Sequence, residues 1–364
     1  MSKYRLYLHS EKGGTCMRNI ENSLFYMPAE WEKHEGTWLQ WPHDRTHRGE
    51  GYRAKLDDIW VTMVKELHYG ETVHIVVYDE KEKVHVQSKL TEAKVDMDKI
   101  DFLIEEMDDV WIRDNGPIFV KDKKGNLCLT HWIFNGWGEK YPYKKDAVIP
   151  AKISEMYSIP KVKSSVCLEG GGIEINGNGT LMAAKTSIIN ENRNPTLSQE
   201  EIEIELTKYL GVTNFIWITG IRGEDNYDED TDYHIDGAAR FVNENTILYE
   251  YDPFGEGEPY LLDAYEKHYQ ELRQARNLDG KPFQLIPVPV TRKVVKEAEC
   301  KGSYLNFYIG NEVVLVPIYG DEHDKLGLQI IEGQFPGRRI IGIYINELFA
   351  YGGIIHCVTQ QHLV

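Results

Sequence analysis

Polar side chains, most of them ionisable, recur at one point of a repeated segment in this chain of 364 residues. The segment consists of two short apolar runs around a tight polar turn, and it occurs four times. The residues at the start of successive copies are Asp114, Glu169, His234 with Asp236, and Asn306. If the copies are arranged radially, equivalent points lie close to a common axis. The spacing therefore predicts one site that contains three carboxylates and a histidine.

Each of these residues also has a structural interpretation when it is taken alone. Asp114 could form an ion pair with Arg113, and Glu169 could cap a turn before the glycines. His234 could be a hydrogen-bonded histidine of the core. Their occurrence at matching positions favours the shared site.

A thiol near the end of the sequence supplies a candidate nucleophile. The segment AYGGIIHCVTQQ, residues 350–361, places His356 beside Cys357 after two glycines. If this segment is a strand, the two side chains point to opposite faces, and His356 is a poor general base for the thiol. The base is then expected from the repeat that contains His234.

The charges around such a thiol restrict the substrate. Neighbouring carboxylates disfavour the thiolate unless the substrate itself carries a positive charge. A guanidinium group is planar, and its N–H donors match paired carboxylates in a bidentate geometry. The residue types alone therefore predict a Cys/His hydrolase that attacks a guanidinium carbon.

The segments that must position these residues have the patterns of hairpins joined by helices. The hairpins are GPIFVKDKKGNLCLTHW, GGGIEINGNGTLMAAKT, GAARFVNENTILYEY and LNFYIGNEVVLVPIYGD. Helices are predicted over TLSQEEIEIELTKYLG, with Ser198 as the N-cap and Gly211 as the stop, and over LLDAYEKHYQELRQAR and HDKLGLQIIEGQF. Further strands are predicted at FIWITG, FQLIPVPV and RIIGIYI, and a fifth unit at GTWLQWP and TVHIVVY.

Five such units predict an α/β fold that closes as a five-bladed propeller of mixed αβ blades with pseudo-fivefold symmetry. Residues 1–25 are expected to form an N-terminal extension outside the propeller. Residues 26–364 are expected to form a single catalytic domain.

Composition excludes several classes of partner. A net charge of −17 and a pI near 5.3 argue against nucleic acid or an anionic membrane, because neither is attracted to this field. No apolar run approaches the roughly 20 residues that span a bilayer, and MSKYRLYLHSEKGG lacks the apolar core of a signal peptide. The five cysteines are scattered without a CxxC pair, which indicates reduced thiols. We therefore expect a cytoplasmic protein.

Seven motifs in a fixed order resemble those of the agmatine deiminases: MPAEWEKHEGTWLQWP, VWIRDNGPIFV, LEGGGIEINGNGTLM, NRNPTLS, DEDTDYHIDGAARFV, SYLNFYIGNEVVLVPIYGD and GGIIHCVTQQ. The similarity runs from about Met27 to Gln361. This family belongs to the guanidine-modifying (pentein) superfamily and is related to the bacterial-type peptidylarginine deiminases. The resemblance implies the five-bladed pentein propeller and the hydrolysis of agmatine to N-carbamoylputrescine and ammonia. A peptidylarginine or another guanidino compound is the alternative substrate.

The resemblance also implies a role for each candidate residue. Cys357 would be the nucleophile that forms a covalent thiouronium intermediate, and His234 would be the general acid and base. Asp114 and Asp236 would grip the guanidinium nitrogens, and Glu169 would orient the histidine. No metal or organic cofactor is required.

Further positions would contact the substrate. Trp111 would line the substrate channel, and the backbone at Gly353 would approach the reacting centre. Asp230, in the acidic run GEDNYDEDTD, is the main candidate for binding the ammonium of agmatine. Its neighbours Asp228 and Glu229 are further candidates, although such a run is equally typical of a solvated loop. The family also suggests a homodimer.

Two positions depart from the family pattern. The residue before the catalytic histidine is often small but is Tyr233 here, and Ile354 stands where asparagine is frequent. Both lie beside reacting groups, so substrate selectivity or rate could differ. Neither departure removes a catalytic group.

Two other functions fit parts of the pattern. A metal hydrolase could use four of the residues as ligands of a divalent ion, namely Asp114, Glu169, His234 and Asp236. This interpretation leaves Cys357 without a role. A guanidinium-binding protein that does no chemistry is the other alternative, and the presence of every catalytic group argues against it.

Overall fold

The fold is built from sheets that share one topology. The computed structural model describes residues 23–221, 230–257 and 259–364. In chain order the strands are β1 (Phe25–Tyr26), β2 (His34–Gln40), β3 (Thr72–Val77), β4 (Ile100–Ile104), β5 (Ile118–Asp122), β6 (Leu127–Ile133), β7 (Lys161–Cys167), β8 (Ile173–Ile175), β9 (Thr180–Ala184), β10 (Asn214–Ile218), β11 (Ala239–Asn243), β12 (Thr246–Tyr251), β13 (Gln284–Pro289), β14 (Tyr308–Ile309), β15 (Val313–Ile318), β16 (Arg339–Tyr344) and β17 (Gln360–Leu363).

Each of the five sheets formed by the described residues contains an antiparallel pair and a third strand parallel to the second strand of the pair. These triples are β5–β6–β7, β8–β9–β10, β11–β12–β13, β14–β15–β16 and β17–β2–β3. The first sheet also contains β1, antiparallel to β5, and the last contains β4, parallel to β3. The four predicted hairpins and the predicted further strands are confirmed.

Helices connect the second and third strands of each sheet. The helices are α1 (Tyr52–Leu67), α2 (Glu80–Glu92), α3 (Ile112–Asn115), α4 (Gly136–Glu139), α5 (Ile149–Tyr157), α6 (Lys185–Ile188), α7 (Gln199–Leu210), α8 (Pro259–Gln274), α9 (Asp324–Glu332) and α10 (Asn346–Phe349). Parallel neighbours need such a crossover, because the chain must return to the same end of the sheet. Helices α1, α5, α7, α8 and α9 supply it. The three predicted helices are confirmed as α7, α8 and α9.

The ends of α7 show how local sequence fixes a crossover. The Ser198 hydroxyl accepts a hydrogen bond from the Glu201 N–H at 3.3 Å, and the Glu201 carboxylate accepts one from the Ser198 N–H at 2.8 Å. This is the predicted capping box. Gly211 ends the helix with φ at 72°, a conformation that favours glycine. Helix α7 then packs against β1 and β7.

A short helical turn precedes the first strand of four sheets. The turns are α3 and three 3-10 turns, at Gly170–Gly172, Ile235–Gly237 and His356–Val358. Helix α3 contacts the turns at Gly170–Gly172 and His356–Val358. The turn at Gly170–Gly172 also contacts the turn at Ile235–Gly237. These four turns therefore lie together.

The fifth sheet joins the two ends of the described chain. Strand β17 pairs antiparallel with β2, and Gln360 lies opposite Trp38. Strand β2 in turn pairs in parallel with β3. The predicted strands GTWLQWP and TVHIVVY are confirmed as β2 and β3.

The interpretation of GGIIHCV as a strand is wrong. The chain forms a 3-10 turn at His356–Val358, and sheet pairing starts only at Gln360. The reason is a side chain from the fourth repeat, far away in the sequence. The N–H groups of His356 and Cys357 bind the side-chain oxygen of Asn306, at 2.9 and 3.3 Å, instead of a neighbouring strand.

The largest apolar cluster lies where α1 packs between two sheets. Helix α1 contacts β3 and β15, whose side chains are almost all buried. Trp60, Met63 and Val64 of α1 are fully buried in this cluster. Burial of β3 and β15 on both faces explains their continuous apolar runs.

The start of the described chain also joins the fold, because β1 pairs with β5. Residues 1–22 lie outside the described residues, so the predicted extension 1–25 and domain 26–364 stay predictions. Within the described ranges, no helix combines the length and the apolar character that crossing a membrane requires.

Candidate active site

The residues that the spacing singled out lie on or beside the four short turns. They are Asp114 on α3, Glu169 before the turn Gly170–Gly172, His234 and Asp236 at the turn Ile235–Gly237, and Cys357 in the turn His356–Val358. Because the turns contact one another, side chains from distant parts of the sequence meet in one place.

His234 lies between two carboxylates. Its Nδ1 is 3.7 Å from Asp114 Oδ1, and its Nε2 is 3.4 Å from Glu169 Oε2. The side chain of His234 is only 4% exposed, so water screens these charges little. Burial lowers the pKa of His234, but Asp114, Glu169 and Asp236 more than offset burial and raise it to about 9. The imidazole is therefore a cation at neutral pH.

Gly171 has no side chain, and the space beside its Cα is occupied by His234, Asp114 and Asp236. A methyl group on its Cα would lie 2.6 Å from His234 Nδ1, 2.8 Å from Asp114 Oδ1 and 3.0 Å from Asp236 Oδ2. All three atoms are too close for any side chain larger than that of glycine. The second glycine of the GGG motif is thus required by the packing of the site.

Two donors orient Asp114. Trp137 Nε1 donates to Oδ2 at 2.9 Å, and the Gly171 N–H donates to Oδ1 at 3.0 Å. Burial, followed by the charges of Asp236 and Glu169, raises the pKa of Asp114 above its ordinary value, although His234 lowers it. A cationic group placed beside Asp114 would favour its ionised form.

Glu169 is fully buried and forms an ion pair with Arg193. Arg193 Nε is 2.6 Å from Glu169 Oε1, and Arg193 Nη1 is 2.9 Å from Asp232 Oδ2. Burial raises the pKa of Glu169, but Arg193 and His234 bring it below its ordinary value. Glu169 is therefore an ionised acceptor beside His234 Nε2. Arg193 was not among the predicted site residues, although it lies in the NRNPTLS motif.

His356 connects Asp236 to a further acid, Glu30. Its Nδ1 is 2.7 Å from Asp236 Oδ2, and its Nε2 is 2.7 Å from Glu30 Oε2. Burial raises the pKa of Asp236, but the hydrogen bond and the charge of His356 bring it below its ordinary value. Both ring nitrogens of His356 are thus engaged with carboxylates rather than with the adjacent thiol.

Glu30 is the principal residue of this network that the spacing did not predict. Its Oε1 accepts from the Ile309 N–H at 2.9 Å and lies 3.2 Å from Arg240 Nη2, and its Oε2 lies 3.4 Å from Arg113 Nη2. Burial raises the pKa of Glu30, but His356 and Arg240 hold it well below its ordinary value. Its signal in the sequence is its place in the motif MPAEWEKHEGTWLQWP, where it is one of three glutamates.

Asn306 contacts the thiol. Its side-chain oxygen, which binds the N–H groups of His356 and Cys357, also lies 3.5 Å from Cys357 Sγ. The spacing had identified Asn306 as the polar residue of the fourth repeat without assigning it a role. The structure places it, buried, directly beside the sulfur.

The two glycines before the thiol are both required by their surroundings. A methyl group on Gly353 would lie 2.0 Å from Cζ3 of the Trp111 ring. Gly352 has φ at 92°, in the left-handed region, and a methyl group there would lie 2.9 Å from Asp230 Oδ2. The backbone at these positions therefore packs directly against Trp111 and Asp230.

A cavity of about 390 Å³ opens over these groups. The predicted residues that line it are Asp230, His234, Asp236, Gly353 and Cys357, and Asn306 lines it as well. A second pocket shares some of these residues, and its lining includes Trp111, Asp114, Asp230 and Cys357. Glu169 lies behind His234 and is not in either lining.

Asp230 lines both pockets and is partly fixed by Tyr141. The Tyr141 hydroxyl donates to Asp230 Oδ1 at 2.6 Å. Burial, with this hydrogen bond, raises the pKa of Tyr141 to about 12. The other two acidic candidates, Asp228 and Glu229, lie outside the described residues.

The two departures from the family pattern have different surroundings. Tyr233 has φ at 75°, a conformation that is uncommon for a bulky residue and suits a small one. Its side chain is buried, and its hydroxyl lies 3.4 Å from His268 Nδ1. Ile354 is buried and lines the cavity next to Gly353.

Residues 26–362 match the family model described as Porphyromonas-type peptidyl-arginine deiminase. The match covers nearly the whole sequence, and the chain belongs to this family. It is accordingly a hydrolase that acts on guanidino C–N bonds.

Relatives with similar names cover the same length. A Streptomyces coelicolor protein, provisionally named agmatine deiminase, is 31% identical over 93% of this chain and 98% of its own length. The solved agmatine deiminase of Enterococcus faecalis is 27% identical, with a TM-score of 0.82 over 93% of this chain and 96% of its own. A C. jejuni agmatine deiminase, solved with substrate bound and with a cysteine replaced by serine, is 26% identical, with a TM-score of 0.79 and the same coverage, 93% and 96%. The mixed α/β fold is shared with these enzymes.

Replacing Gly171 with alanine should disrupt the site, whereas the same change at Gly172 should be tolerated. A methyl group at 171 meets three charged side chains within 3.0 Å, but at 172 its nearest contact is Ser187 Oγ at 3.6 Å. We expect Gly171→Ala to lower kcat/KM for a guanidino substrate at least about 100-fold, because displacements of about 1 Å have effects of this size. Gly172→Ala should stay within about threefold of wild type. Ammonia release measures both rates, and equal activities of the two variants would contradict the packing described.

The charge of His234 predicts how stability depends on pH. Its pKa is near 6.5 in the unfolded chain and about 9 in the folded protein, so the folded state binds this proton more tightly. The resulting stabilisation is fully present below pH 6.5 and is lost as the pH rises through 9. We expect wild type to lose about 3 kcal/mol more free energy of unfolding than His234→Gln over this range, measured by urea unfolding.

A matched control is His268→Gln. Burial lowers the pKa of His268 to about 4, so this ring is neutral in the folded protein throughout the same range. The control should therefore keep the wild-type slope of stability against pH. An unchanged slope in His234→Gln would show that the folded protein does not hold the proton on this ring.

Proposed function

We propose that this protein is an agmatine deiminase that hydrolyses agmatine to N-carbamoylputrescine and ammonia. The observation that carries the proposal is the meeting of a thiol, a cationic imidazole and buried acids at one cavity, with Cys357, His234 and Asp236 in its lining. A planar guanidinium group supplies N–H donors for more than one carboxylate at once. The names of the relatives from S. coelicolor and E. faecalis support the same substrate.

In the first step, Asp114 and Asp236 accept hydrogen bonds from the guanidinium nitrogens and hold the group for attack. The thiol proton passes to solvent as the cationic substrate enters, and the thiolate of Cys357 adds to the guanidinium carbon. His234, protonated at rest, gives its proton to the departing nitrogen. The C–N bond then breaks, ammonia leaves, and an S-alkylthiouronium remains on Cys357.

In the second step, the now neutral His234 takes a proton from water, and the water oxygen adds to the thiouronium carbon. The C–S bond breaks and the hydroxyl proton is lost to solvent. The ureido product then dissociates, and Cys357 is again a thiolate. A histidine with a pKa of about 9 is suited to this order, because it begins the cycle protonated. Glu169, held by Arg193, keeps the ring oriented through both steps.

The ammonium of agmatine is assigned to Asp230. This carboxylate is half-buried and lines both pockets, and one of its oxygens is already bound by Tyr141. Its other oxygen, Oδ2, lies against Gly352. Trp111, packed on Gly353, lines the path between the two ends of the substrate. A peptidylarginine is the alternative, because the matching family model carries that name.

We also infer that the five sheets are the blades of a five-bladed propeller. Every sheet contains the same triple of strands, and β17 from the end of the chain completes the triple that β2 and β3 begin. The four turns that meet at the site each precede the first strand of a sheet. A cytoplasmic location and a homodimer stay predictions from the sequence.

Alkylation should distinguish Cys357 from Cys300, a second cysteine in the cavity lining. Iodoacetamide should inactivate wild type and Cys300→Ala alike, and saturating agmatine should slow the loss. Mass spectrometry should locate the modification at Cys357. Cys357→Ala should lower kcat at least about 10⁴-fold because the nucleophile is lost, whereas Cys300→Ala should stay within about threefold of wild type.

Two results would overturn the assignment of the nucleophile and of the reaction. Turnover that survives complete modification of Cys357 would remove the covalent step. Incubation with agmatine at high enzyme concentration that yields no ureido product would leave only binding. A faster reaction with a peptidylarginine than with agmatine would favour the alternative substrate.

Replacing Asp230 with asparagine should weaken the reaction of agmatine selectively. We expect kcat/KM for agmatine to fall about 10- to 100-fold, because the carboxylate that pairs with the ammonium is lost. The value for n-butylguanidine, which has no ammonium, should change by less than about threefold. Glu297→Gln, at another carboxylate of the cavity lining, is the matched control and should leave both substrates unaffected. Equal losses for the two substrates in Asp230→Asn would contradict the assignment.

A further inference from the structure

A second group of metal-binding side-chain types lies outside the active site, on the sheet formed by β17, β2 and β3. It consists of Glu35 on β2, His74 on β3 and His362 on β17. One donor atom from each residue lies within 4.8 Å of the other two. Two imidazoles and one carboxylate are the protein ligands of many zinc sites. None of the three residues is in the lining of the catalytic cavity.

Sheet register places the two histidines on one face. His362 lies opposite Gly36, and His74 lies opposite Trp38. Since Gly36 and Trp38 are two positions apart on β2, their partners point to the same side. A methyl group on Gly36 would lie 2.5 Å from His74 Nε2, so the glycine leaves room for that ring.

A register shift brings the carboxylate to the same face. In a regular strand, Glu35 would point away from the face that Gly36 occupies. The pairing of β17 with β2 is irregular here, because Leu363 lies opposite His34 although His362 lies opposite Gly36. Glu35 is the extra residue of this bulge, and bulges redirect side chains.

Two of the three separations between donor atoms are near those of metal ligands, and the third is within 4.8 Å. Glu35 Oε2 is 2.7 Å from His74 Nε2 and 3.3 Å from His362 Nδ1. Ligands about 2.0–2.2 Å from a tetrahedral metal ion lie roughly 3.3–3.5 Å apart. Small side-chain movements therefore place all three atoms around one ion.

His362 has an unused buried nitrogen at this point. Its Nδ1 has no hydrogen-bond partner among the described residues, and its side chain is 4% exposed. The contact with Glu35 is near enough for an ion pair but does not have hydrogen-bond geometry. A buried ring nitrogen without a partner is a position at which an ion can bind.

The other nitrogen of His74 has the partners expected in a metal site. Its Nδ1 lies 2.7 Å from the Tyr157 hydroxyl and 3.4 Å from Asp101 Oδ2, and the hydroxyl donates to the same oxygen at 3.1 Å. Since Tyr157 gives its proton to Asp101, its oxygen accepts from Nδ1–H of His74. Without a metal ion, Nε2 donates to Glu35 Oε2 at 2.7 Å, and a bound metal ion would replace the proton of this hydrogen bond. Outer-shell carboxylates orient metal-binding histidines in this way.

We propose that Glu35 Oε2, His74 Nε2 and His362 Nδ1 bind a divalent transition metal of the Zn²⁺ class at a site separate from the catalytic cavity. The two imidazole ligands select against Ca²⁺ and Mg²⁺, which prefer oxygen. Glu35 is 43% exposed, so the site is open to solvent, and a water completes the coordination. The metal ties β2, β3 and β17 together, and β17 follows directly after the turn that carries Cys357.

Calorimetric titration with Zn²⁺ tests the site, in a Cys357→Ser background so that the catalytic thiol does not bind the metal. We expect one saturable site per chain. Glu35→Gln and His362→Gln should each weaken binding at least about 100-fold, and Tyr157→Phe, which removes only the outer hydroxyl, about 10-fold. His131→Gln is the control, because the Nε2 of His131 binds the Ala147 carbonyl elsewhere in the fold, and it should bind Zn²⁺ like the parent.

The change at buried His362 could prevent folding. Glu35 is partly exposed, so Glu35→Gln is expected to fold and tests the site by itself. X-ray absorption at the zinc edge should show two imidazoles and no sulfur. No saturable binding, undiminished binding in Glu35→Gln, or a zinc environment made of oxygen alone would each overturn the proposal.

Discussion

The positive charge of His234 is the constraint on which the site depends. Asp114, Glu169 and Asp236 are all buried around it, and like charges repel strongly where water is excluded. Glu169 and Asp236 each have a further cationic or hydrogen-bonding partner, an arginine and a second histidine. Their pKa values are below the ordinary range, whereas the pKa of Asp114 is above it. The protein thus compensates the charges of Glu169 and Asp236 and leaves Asp114 as the least compensated carboxylate of the three.

The repeated topology explains why this charge cluster forms where it does. Each site residue lies on or beside a short turn that leads into the first strand of a sheet, and the strands themselves are occupied with pairing and burial. Backbone groups in such turns are available to side chains. Asn306 binds two of them beside the thiol, and the Gly171 N–H binds Asp114. The scaffold therefore fixes the turns, and the turns fix the side chains of the candidate site.

Much of the fold could be predicted from local signals in the sequence. The hairpins are marked by alternating apolar runs around Asn-Gly and Gly-rich turns, and α7 is marked by Ser198, Glu201 and Gly211. The segment 352–358 was misread because a short apolar run is compatible with a strand. Nothing in the neighbouring sequence shows that a side chain from the fourth repeat accepts hydrogen bonds from the N–H groups of this segment.

The partners of the site residues were harder to predict. Spacing identified Asp114, Glu169, His234 and Asp236 because they recur at equivalent points. Glu30 and Arg193 have no such periodicity, and each acts through contacts with residues far away in the sequence. The cluster of Glu35, His74 and His362 depends on a bulge and on a strand from the far end of the chain. Only the three-dimensional pairing brings such residues together.

The thiol is positioned by contacts between the two ends of the described chain. Gln360 pairs with Trp38, and the turn just before that pairing carries Cys357. Contacts between such distant residues require a large loss of chain entropy when the loop closes, and they form slowly. The four internal hairpins consist of local contacts and are able to form earlier. The position of Cys357 therefore depends on a long-range pairing as well as on its own turn, and damage at either end of the described chain would reach the thiol.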